Sequence, residues 1–452
     1  MKNTARFLDK QILVLGLAKS GTAAAELLLK LGARVTVNDR KPLEENVEAQ
    51  RLQKLGAEVV CGSHPPDLVG EHLDYLVKNP GIRYDNPLIV KAASLRIPVI
   101  TEVELAYEIS EAEIIGITGS NGKTTTTTYL FEMLKDSQKT PLIAGNIGEV
   151  ACEVAQQATE KNVLVTELSS FQLMGTEMFR PKISVLLNLI EAHIDYHGTM
   201  DDYIAAKANI FKNQAEGDYI VYNADDPKVT AVVQSGQAAF VPFSTEEAVQ
   251  NGACVENGWL SVFGKKLIRV EEMSLPGLHN VANGLAAAAA AFLAGADIER
   301  IRTVLKTFAG VAHRLQFVDS FNDRSFYNNS KATNVTATIT ALKAFEKPVV
   351  LLAGGLDRGN GFDELLPYLE QRVSGIVTYG ETGMLIAETA KRAGVETVKT
   401  CSTLREAVPL AYEISAPGDT ILLSPACASW DQFNTFEERG DTFIDEVKKI
   451  VR

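Results

Sequence analysis

Short apolar runs alternate with amphipathic stretches over the first hundred residues. The run QILVLGL at 11–17 has the length and continuity of a strand buried on both faces, and 34–38 is a second. Segments 22–31 and 47–55 carry helical spacing between and after them. Strand, helix, strand in this order predicts a parallel sheet with helices on its faces. Short strands at 74–77 and 98–100 extend it.

A second unit opens near residue 102. Its first strand, 114–118, runs into a glycine-rich turn and then a helix from about residue 124. Later strands are expected at 163–167, 183–188 and 219–223, with helix at 203–211. Within 253–270, Asn257-Gly258 sits between alternating residues, the signal of a two-residue hairpin, so a small antiparallel addition is expected. A third α/β unit starts near residue 311, with strands at 349–353, 375–378 and 420–423 and helices at 384–393 and 404–414. The expected fold is α/β in three domains: a Rossmann-like 1–101, a P-loop ATPase-like 102–310 carrying the antiparallel addition, and a Rossmann-like 311–452. No internal repeat or low-complexity tract interrupts it, and the alanine run 286–291 is helix-forming.

At 452 residues the chain exceeds what one core sustains, in keeping with several domains. Its hydrophobic fraction of 46% and charged fraction of 22% are those of a globular protein. A net charge of -13 argues against a general nucleic-acid binder, whose affinity is built from Lys and Arg on phosphates. Residues 1–9 are polar, and no apolar run approaches the roughly 20 residues of a membrane span, so a cytoplasmic location is expected. The five cysteines are odd in number and scattered, which predicts buried reduced thiols rather than a disulfide framework.

The most informative segment is Gly116-Ile-Thr-Gly119-Ser120-Asn121-Gly122-Lys123-Thr124-Thr125, between a predicted strand and helix. Backbone N–H groups of such a turn and the positive helix N-terminus hold phosphates. Lys123 would neutralise β and γ phosphates and the Thr124 hydroxyl would face Mg²⁺. Ile117 stands where the usual pattern has its first glycine, so the match is to a shorter G-x-x-G-K-T core. The earlier loop Gly16-Leu-Ala-Lys19-Ser20-Gly21 has only part of a dinucleotide fingerprint, because Ala18 replaces its second glycine. A nucleotide diphosphate or a structural turn suits it better than a nicotinamide cofactor. Asn38, Asp39 and Arg40 end the second strand where ribose or base contacts fall in such folds. Glu167, at the end of an apolar strand, occupies a ligand-facing position of the same kind.

Further segments carry a resemblance. Asn146 follows Ala-Gly; Glu167 stands in Thr-Glu-Leu-Ser-Ser-Phe-Gln, His193 in Glu-Ala-His-Ile-Asp-Tyr-His-Gly, and Lys207 in Tyr-Ile-Ala-Ala-Lys-Ala-Asn-Ile-Phe. They are followed by Gly277-Leu-His-Asn280, His313-Arg314, Ser330-Lys331-Ala-Thr333-Asn, Gly354-Gly-Leu-Asp357-Arg358 and Ser424-Pro-Ala-Cys-Ala-Ser429. Over its whole length the chain resembles the Mur ligase family. The run to Phe436 and Arg439-Gly440 points to the D-glutamate-adding branch rather than the alanine-, diamino acid- or dipeptide-adding ones.

The resemblance implies an ATP-dependent amide ligase of peptidoglycan precursor synthesis. ATP phosphorylates the carboxylate of uridine diphosphate-linked N-acetylmuramoyl-L-alanine, D-glutamate attacks the acyl phosphate, and phosphate leaves. It further implies two Mg²⁺ ions, one on Thr124 and Glu167 and one on His193 and a carbamylated Lys207. Asn280, Arg314 and Asn329 match nucleotide-binding positions. Lys331, Thr333, Ser429 and Phe436 match the D-glutamate site, and Arg358 is a further substrate-binding position. Asn146 matches a contact near the reacting end of the precursor, and Lys19, Ser20, Gly21 and Asn38 to Arg40 match its uridine diphosphate pocket. A monomer acting by domain closure is expected.

Two departures stand out. Asn329 occupies a position where the family usually has Asp, which removes a negative charge near ATP, and Arg358 stands where many members have Lys. Taken alone, Lys207 would be a solvated helix lysine and His193 a surface histidine. His193 and His197 do not make a zinc motif, since Ile194 replaces the glutamate that pattern needs, and His197 reads as structural. Two competing readings are a folylpolyglutamate-type ligase, which should lack both the first-domain loop and the Ser-Pro-Ala-Cys-Ala-Ser ending, and a nucleotide-binding regulatory module without turnover.

Overall fold

The structure, a computed structural model, describes residues 1–345, 348–359 and 361–451. Its first sheet contains β1 (Gln11–Leu15), β2 (Arg34–Asp39), β3 (Glu58–Cys61), β4 (Tyr75–Lys78) and β5 (Val99–Ile100), all parallel, in the order β3-β2-β1-β4-β5. The strand order reverses beside β1, so the turns after β1 and β4 lie next to each other at the carboxyl edge, where doubly wound sheets bind ligands. The helix after β1 spans Lys19–Lys30, three residues earlier than its apolar spacing indicates. Lys19, Ser20 and Gly21 therefore form its first turn rather than a loop, and no side chain caps that turn.

The second sheet has nine strands. They are β6 (Glu113–Thr118), β7 (Thr140–Gly145), β8 (Asn162–Glu167), β9 (Ile183–Leu186), β10 (Tyr219–Asn223), β11 (Ala239–Ser244), β12 (Ala253–Glu256), β13 (Trp259–Val262) and β14 (Lys265–Arg269). Their order is β14-β13-β12-β11-β10-β9-β6-β8-β7. The expected antiparallel addition is present as β12-β13-β14, joined to the parallel part through β11. Asn257 and Gly258 both have positive φ, as a twisted two-residue hairpin turn requires.

The third sheet has β15 (Gln316–Phe321), β16 (Arg324–Asn328), β17 (Val349–Gly354), β18 (Val373–Tyr379), β19 (Thr397–Thr400) and β20 (Thr420–Leu423), ordered β15-β16-β20-β17-β18-β19. Only β15 with β16 is antiparallel, turning at Asn322 and Asp323, both at positive φ.

These three sheets give a three-domain α/β fold distributed over two compact units. One comprises Met1–Met273 with Leu278–Thr307, and the other Ser274–Gly277 with everything from Phe308 on. The first two sheets share a unit because helices Lys19–Lys30, Glu102–Ile109 and Ala151–Gln157 pack on one another, burying Ala24, Leu27, Leu105 and Cys152 in one continuous cluster. In the middle sheet, Ala286 to Ala291 are fully buried, and these small side chains let helix Leu278–Leu293 lie close against helix Lys123–Leu134.

All five cysteines are free, but only Cys152, Cys254 and Cys427 are buried; Cys61 and Cys401 are half-exposed. Among the described residues, no helix is long and apolar enough to cross a membrane.

Candidate functional site

The glycine-rich turn 119–122, the candidate phosphate turn, follows β6 at the carboxyl edge of the middle sheet. Gly122, at φ 83°, caps helix Lys123–Leu134, and a Cβ there would stand 2.3 Å from Asn283 Oδ1. Asn283, buried on helix Leu278–Leu293, also accepts from Thr126 Oγ1 at 3.3 Å. One neighbouring helix thus fixes where the phosphate helix begins. On its other side the turn is tied to the strand end after β9. Asn121 N–H donates to Asn188 Oδ1 (2.8 Å), Asn188 Nδ2 donates back to the Asn121 carbonyl (3.1 Å), and Ser120 N–H donates to the Asn188 carbonyl (3.0 Å). The Ser120 hydroxyl donates to the Ile190 carbonyl and accepts from Tyr203 OH at 2.9 Å.

Two lysines converge on the turn. Lys123 Nζ donates to the carbonyls of Gly119 (2.8 Å) and Ser120 (2.9 Å). Lys207 Nζ donates to the same Gly119 carbonyl at 2.8 Å and lies over the Tyr203 ring. Lys207 is buried, on a helix that runs Met200–Ala208 rather than 203–211, because Thr199 accepts from Asp202 N–H and caps it earlier. Burial, and then the Lys123 cation, push the Lys207 ammonium down to about 6, against the pull of the Glu167 carboxylate. At neutral pH the amine is therefore largely uncharged, the form that reacts with carbon dioxide.

Glu167 ends β8, 2% exposed. Its Oε1 accepts from Asn146 Nδ2 at 3.0 Å, while Oε2 is buried with no hydrogen-bond partner. Such an orphaned carboxylate oxygen costs free energy unless something positive completes it. Gly145, at φ 101°, lets the chain approach within reach of this strand end: a Cβ would stand 2.3 Å from the Glu167 carbonyl oxygen, which accepts the Asn146 N–H. Thr124 is buried in the first turn of its helix, followed by Thr125.

His193 is exposed, at φ 57°, just before the short helix Ile194–His197. Desolvation lowers its pKa, opposed by Asp195 and reinforced by Lys123 and Lys207, so at neutral pH the imidazole is the uncharged, metal-ligating form. His197 is structural: buried, stacked on Phe171 at 5.4 Å, with Nε2 2.9 Å from Ser170 Oγ. Among the described residues no three His, Cys, Asp or Glu side chains gather as a metal cluster. A metal reading therefore rests on the mixed set Thr124, Glu167, His193 and Lys207, which the orphaned Glu167 oxygen fits.

At the first sheet, Lys19 Nζ reaches the Gly148 carbonyl at 3.4 Å, and Ser20 Oγ accepts from Asn79 Nδ2 at 3.1 Å. Gly21 lies against Gly16, where a Cβ would fall 1.9 Å from the Gly16 carbonyl oxygen. Asn38 is fully buried and spends its side chain inside the fold, donating to the Val60 and Ser63 carbonyls and meeting His64 Nδ1 at 2.5 Å. Asp39 holds the backbone N–H of Leu17 (2.7 Å) and of Lys41 (2.8 Å), and Arg40 is exposed. Asn38 and Asp39 thus fix the backbone around the end of β2 rather than offering free side chains. Asn79, absent from the sequence expectations, is the side chain that bridges the two turns. Its Asn-Pro-Gly neighbourhood was the available turn signal.

In the second unit, the Ser330-Lys331-Ala-Thr333 loop follows β16. Arg439, completely buried, donates from Nε to Ser330 Oγ (3.0 Å), from Nη2 to the Ser330 carbonyl (2.8 Å) and from Nη1 to the Cys427 carbonyl (3.0 Å). This single guanidinium joins the loop after β16 to the loop after β20. Lys331 Nζ lies 5.2 Å from the Phe436 ring centroid, and Ser429 is buried. Thr333 and Arg358 line an open pocket of 280 Å³ together with Asp357, Thr382, Cys427 and Ala428. The Arg358 guanidinium stacks over Trp430 at 4.8 Å. Asn329 is buried, its Nδ2 donating to Ser424 Oγ (3.1 Å) and its Oδ1 accepting Leu315 N–H (3.2 Å). Arg314 N–H donates to the Val311 carbonyl at the start of this unit, and Asn280 in the first unit accepts from Asn283 Nδ2 at 3.4 Å.

Comparison with known proteins matches three families in chain order: the Mur ligase MurD-like N-terminal domain over residues 10–101, the Mur ligase middle domain over 117–291, and the Mur ligase glutamate ligase domain over 313–427. Proteins named UDP-N-acetylmuramoylalanine–D-glutamate ligase from Bacillus thuringiensis (strain Al Hakam) and Bacillus anthracis are each 58% identical over 451 residues, covering 100% of both chains. Among solved structures, UDP-N-acetylmuramate-alanine ligase MurC from Thermotoga maritima has TM-score 0.55 at 22% identity, covering 98% of this chain and 99% of its own. MurF ligase from Thermotoga maritima, in complex with ADP, has TM-score 0.55 at 16% identity, covering 100% of each chain. At these identities the two structures show a shared fold. Matched in every sheet and along its full length by close relatives, the chain belongs to the Mur ligase family.

Proposed function

We propose that the chain joins D-glutamate to UDP-N-acetylmuramoyl-L-alanine at the expense of ATP, through an acyl phosphate, in peptidoglycan precursor synthesis. The observation that carries this reading is the convergence of Lys123 and Lys207 on the Gly119 carbonyl, with the Glu167 carboxylate, one oxygen of which is unpaired, near enough to attract the Lys207 ammonium. Full-length relatives of that name support it. On this reading the domains are 1–101 for the nucleotide-linked precursor, 102–310 for ATP and 311–452 for D-glutamate, and the enzyme works as a cytoplasmic monomer.

A carboxylate is a poor electrophile until one oxygen becomes a leaving group, and making it one requires two anions to approach. The backbone N–H groups from Gly119 to Thr125 cradle the ATP phosphates at the helix N-terminus, and Lys123 neutralises their developing charge. Asn280, Arg314 and Asn329 serve the nucleotide. Two magnesium ions, one held by Thr124 and Glu167 and one by His193 and a carbamylated Lys207, would screen the phosphates and the carboxylate from each other. A bare ammonium would repel a cation, whereas a carbamate on Lys207 would be anionic and able to ligate it. Asn146, fixed on Glu167, orients the reacting end of the precursor, whose uridine diphosphate lies with Lys19, Ser20, Gly21 and Asn38 to Arg40. Lys331, Thr333, Arg358, Ser429 and Phe436 hold D-glutamate with its amine free to attack.

The test is phosphate release from ATP with both acceptor substrates, with each omitted, and with magnesium removed by EDTA. Release that needs both acceptors and the metal is expected. Turnover indifferent to the uridine-linked substrate would refute the reading.

A further inference from the structure

Lys78 is one of the largest fully buried side chains, yet among the described residues no carboxylate pairs with it. It ends β4, immediately before the turn Asn79-Pro80-Gly81-Ile82. Nζ donates to the Pro80 carbonyl and to Tyr196 OH, both at 3.2 Å, and sits 4.6 Å from the Tyr84 ring centroid. Tyr196 OH in turn donates to the carbonyls of Ile82 (2.8 Å) and Pro80 (3.1 Å). Burial alone lowers the Lys78 pKa to about 7. Desolvating an amine for carbonyl, hydroxyl and ring partners is costly, so these contacts are strongly localised.

Each end of this strut touches a different part of the proposed site. The 79–82 turn closes on itself through Ile82 N–H to the Asn79 carbonyl (3.0 Å). It grips the first turn of helix Lys19–Lys30 through Asn79 and Ser20. Tyr196 belongs to the helix that His193 opens, and the Phe171 ring packs against both, at 4.4 Å from Tyr196 and 5.0 Å from His193. Arg83 donates to the Asp195 carbonyl and strengthens the same junction.

We propose that Lys78 and Tyr196 are positioning residues that fix the spacing between the nucleotide end and the reacting carboxylate end of the precursor; this rests on the function proposed above. A long substrate anchored at both ends binds well only if the two anchors keep their separation.

The experiment compares Tyr196→Phe, which removes one hydroxyl and keeps the ring, with Lys78→Met, under steady state with each substrate varied. The expected result is a KM for the uridine-linked precursor raised about five- to tenfold, the scale of one lost buried hydrogen bond. KM for ATP and for D-glutamate should stay within about twofold. The double variant should be no worse than the poorer single one, because the two groups serve one contact. A general loss of structure would shift all three KM values together. If Lys78→Met does not fold, Tyr196→Phe decides alone. An unchanged precursor KM in Tyr196→Phe overturns the inference while leaving the proposed function intact; a wild-type enzyme that ignores the precursor removes both.

Discussion

Replacing Gly122 by Ala tests how the phosphate helix is anchored. At φ 83° the new residue sits in the left-handed region, at a cost of about 1–2 kcal/mol. Its methyl would also lie 2.3 Å from Asn283 Oδ1. To clear it, Asn283 must turn away from Thr126 Oγ1, leaving a buried hydroxyl with a lost partner, worth a further ~1–3 kcal/mol. The single substitution should therefore cost roughly 2–5 kcal/mol. In an Asn283→Ala background the steric part vanishes and only the backbone part, about 1–2 kcal/mol, remains. Equilibrium urea denaturation of the four proteins, with affinity for a magnesium-bound, non-hydrolysable ATP analogue measured in parallel, reads the coupling. Nucleotide affinity should fall with Gly122→Ala and partly recover in the double variant. Equal costs in both backgrounds, within about 0.5 kcal/mol, would refute the idea that Asn283 sets the start of the helix.

Lys207→Ala should lose at least about a hundredfold in kcat while remaining folded, and short carboxylates such as acetate should restore part of it; absence of rescue in a folded protein argues against the carbamate role. Asn329→Asp should alter kcat or the KM for ATP more than about twofold, since it places a charge where Asn329 now donates to Ser424, and unchanged constants would show the departure to be neutral. Arg439→Lys keeps the charge but cannot reproduce three directed bonds to Ser330 and Cys427, so the KM for D-glutamate should rise about tenfold with the KM for ATP unmoved.

Periodicity located the strands that carry the site because buried parallel strands are continuous apolar runs: β1, β6, β8, β17 and β20 all match their expected positions within a few residues. It missed β7, which contains Pro141, and β19, TVKT, whose residues are half-exposed or exposed. It also missed β15 with β16, which turn at Asn322-Asp323 without the Asn-Gly or Asp-Gly pair that marks a two-residue hairpin. Helix starts fall earlier than apolar spacing indicates where polar or small residues make the first turn, as at Lys19, and at Met200, where Thr199 caps the helix.

By itself the sequence determined the apolar strands that form the middle of each sheet, the glycine-rich turn after β6 and, through its quoted motifs, the family, because these depend on residues close together in the chain. Only the tertiary structure decided that Lys207 shares the Gly119 carbonyl with Lys123, that one Glu167 oxygen is left unpaired, that Asn38 turns inward, and that Lys78, Asn283 and Arg439 brace the loops. Apart from the unpaired oxygen, these facts join residues from 22 to 157 positions apart, and burial then gives them their chemistry. A lysine in a solvated helix keeps its proton, whereas the same lysine sealed beneath a phosphate turn gives it up near pH 6.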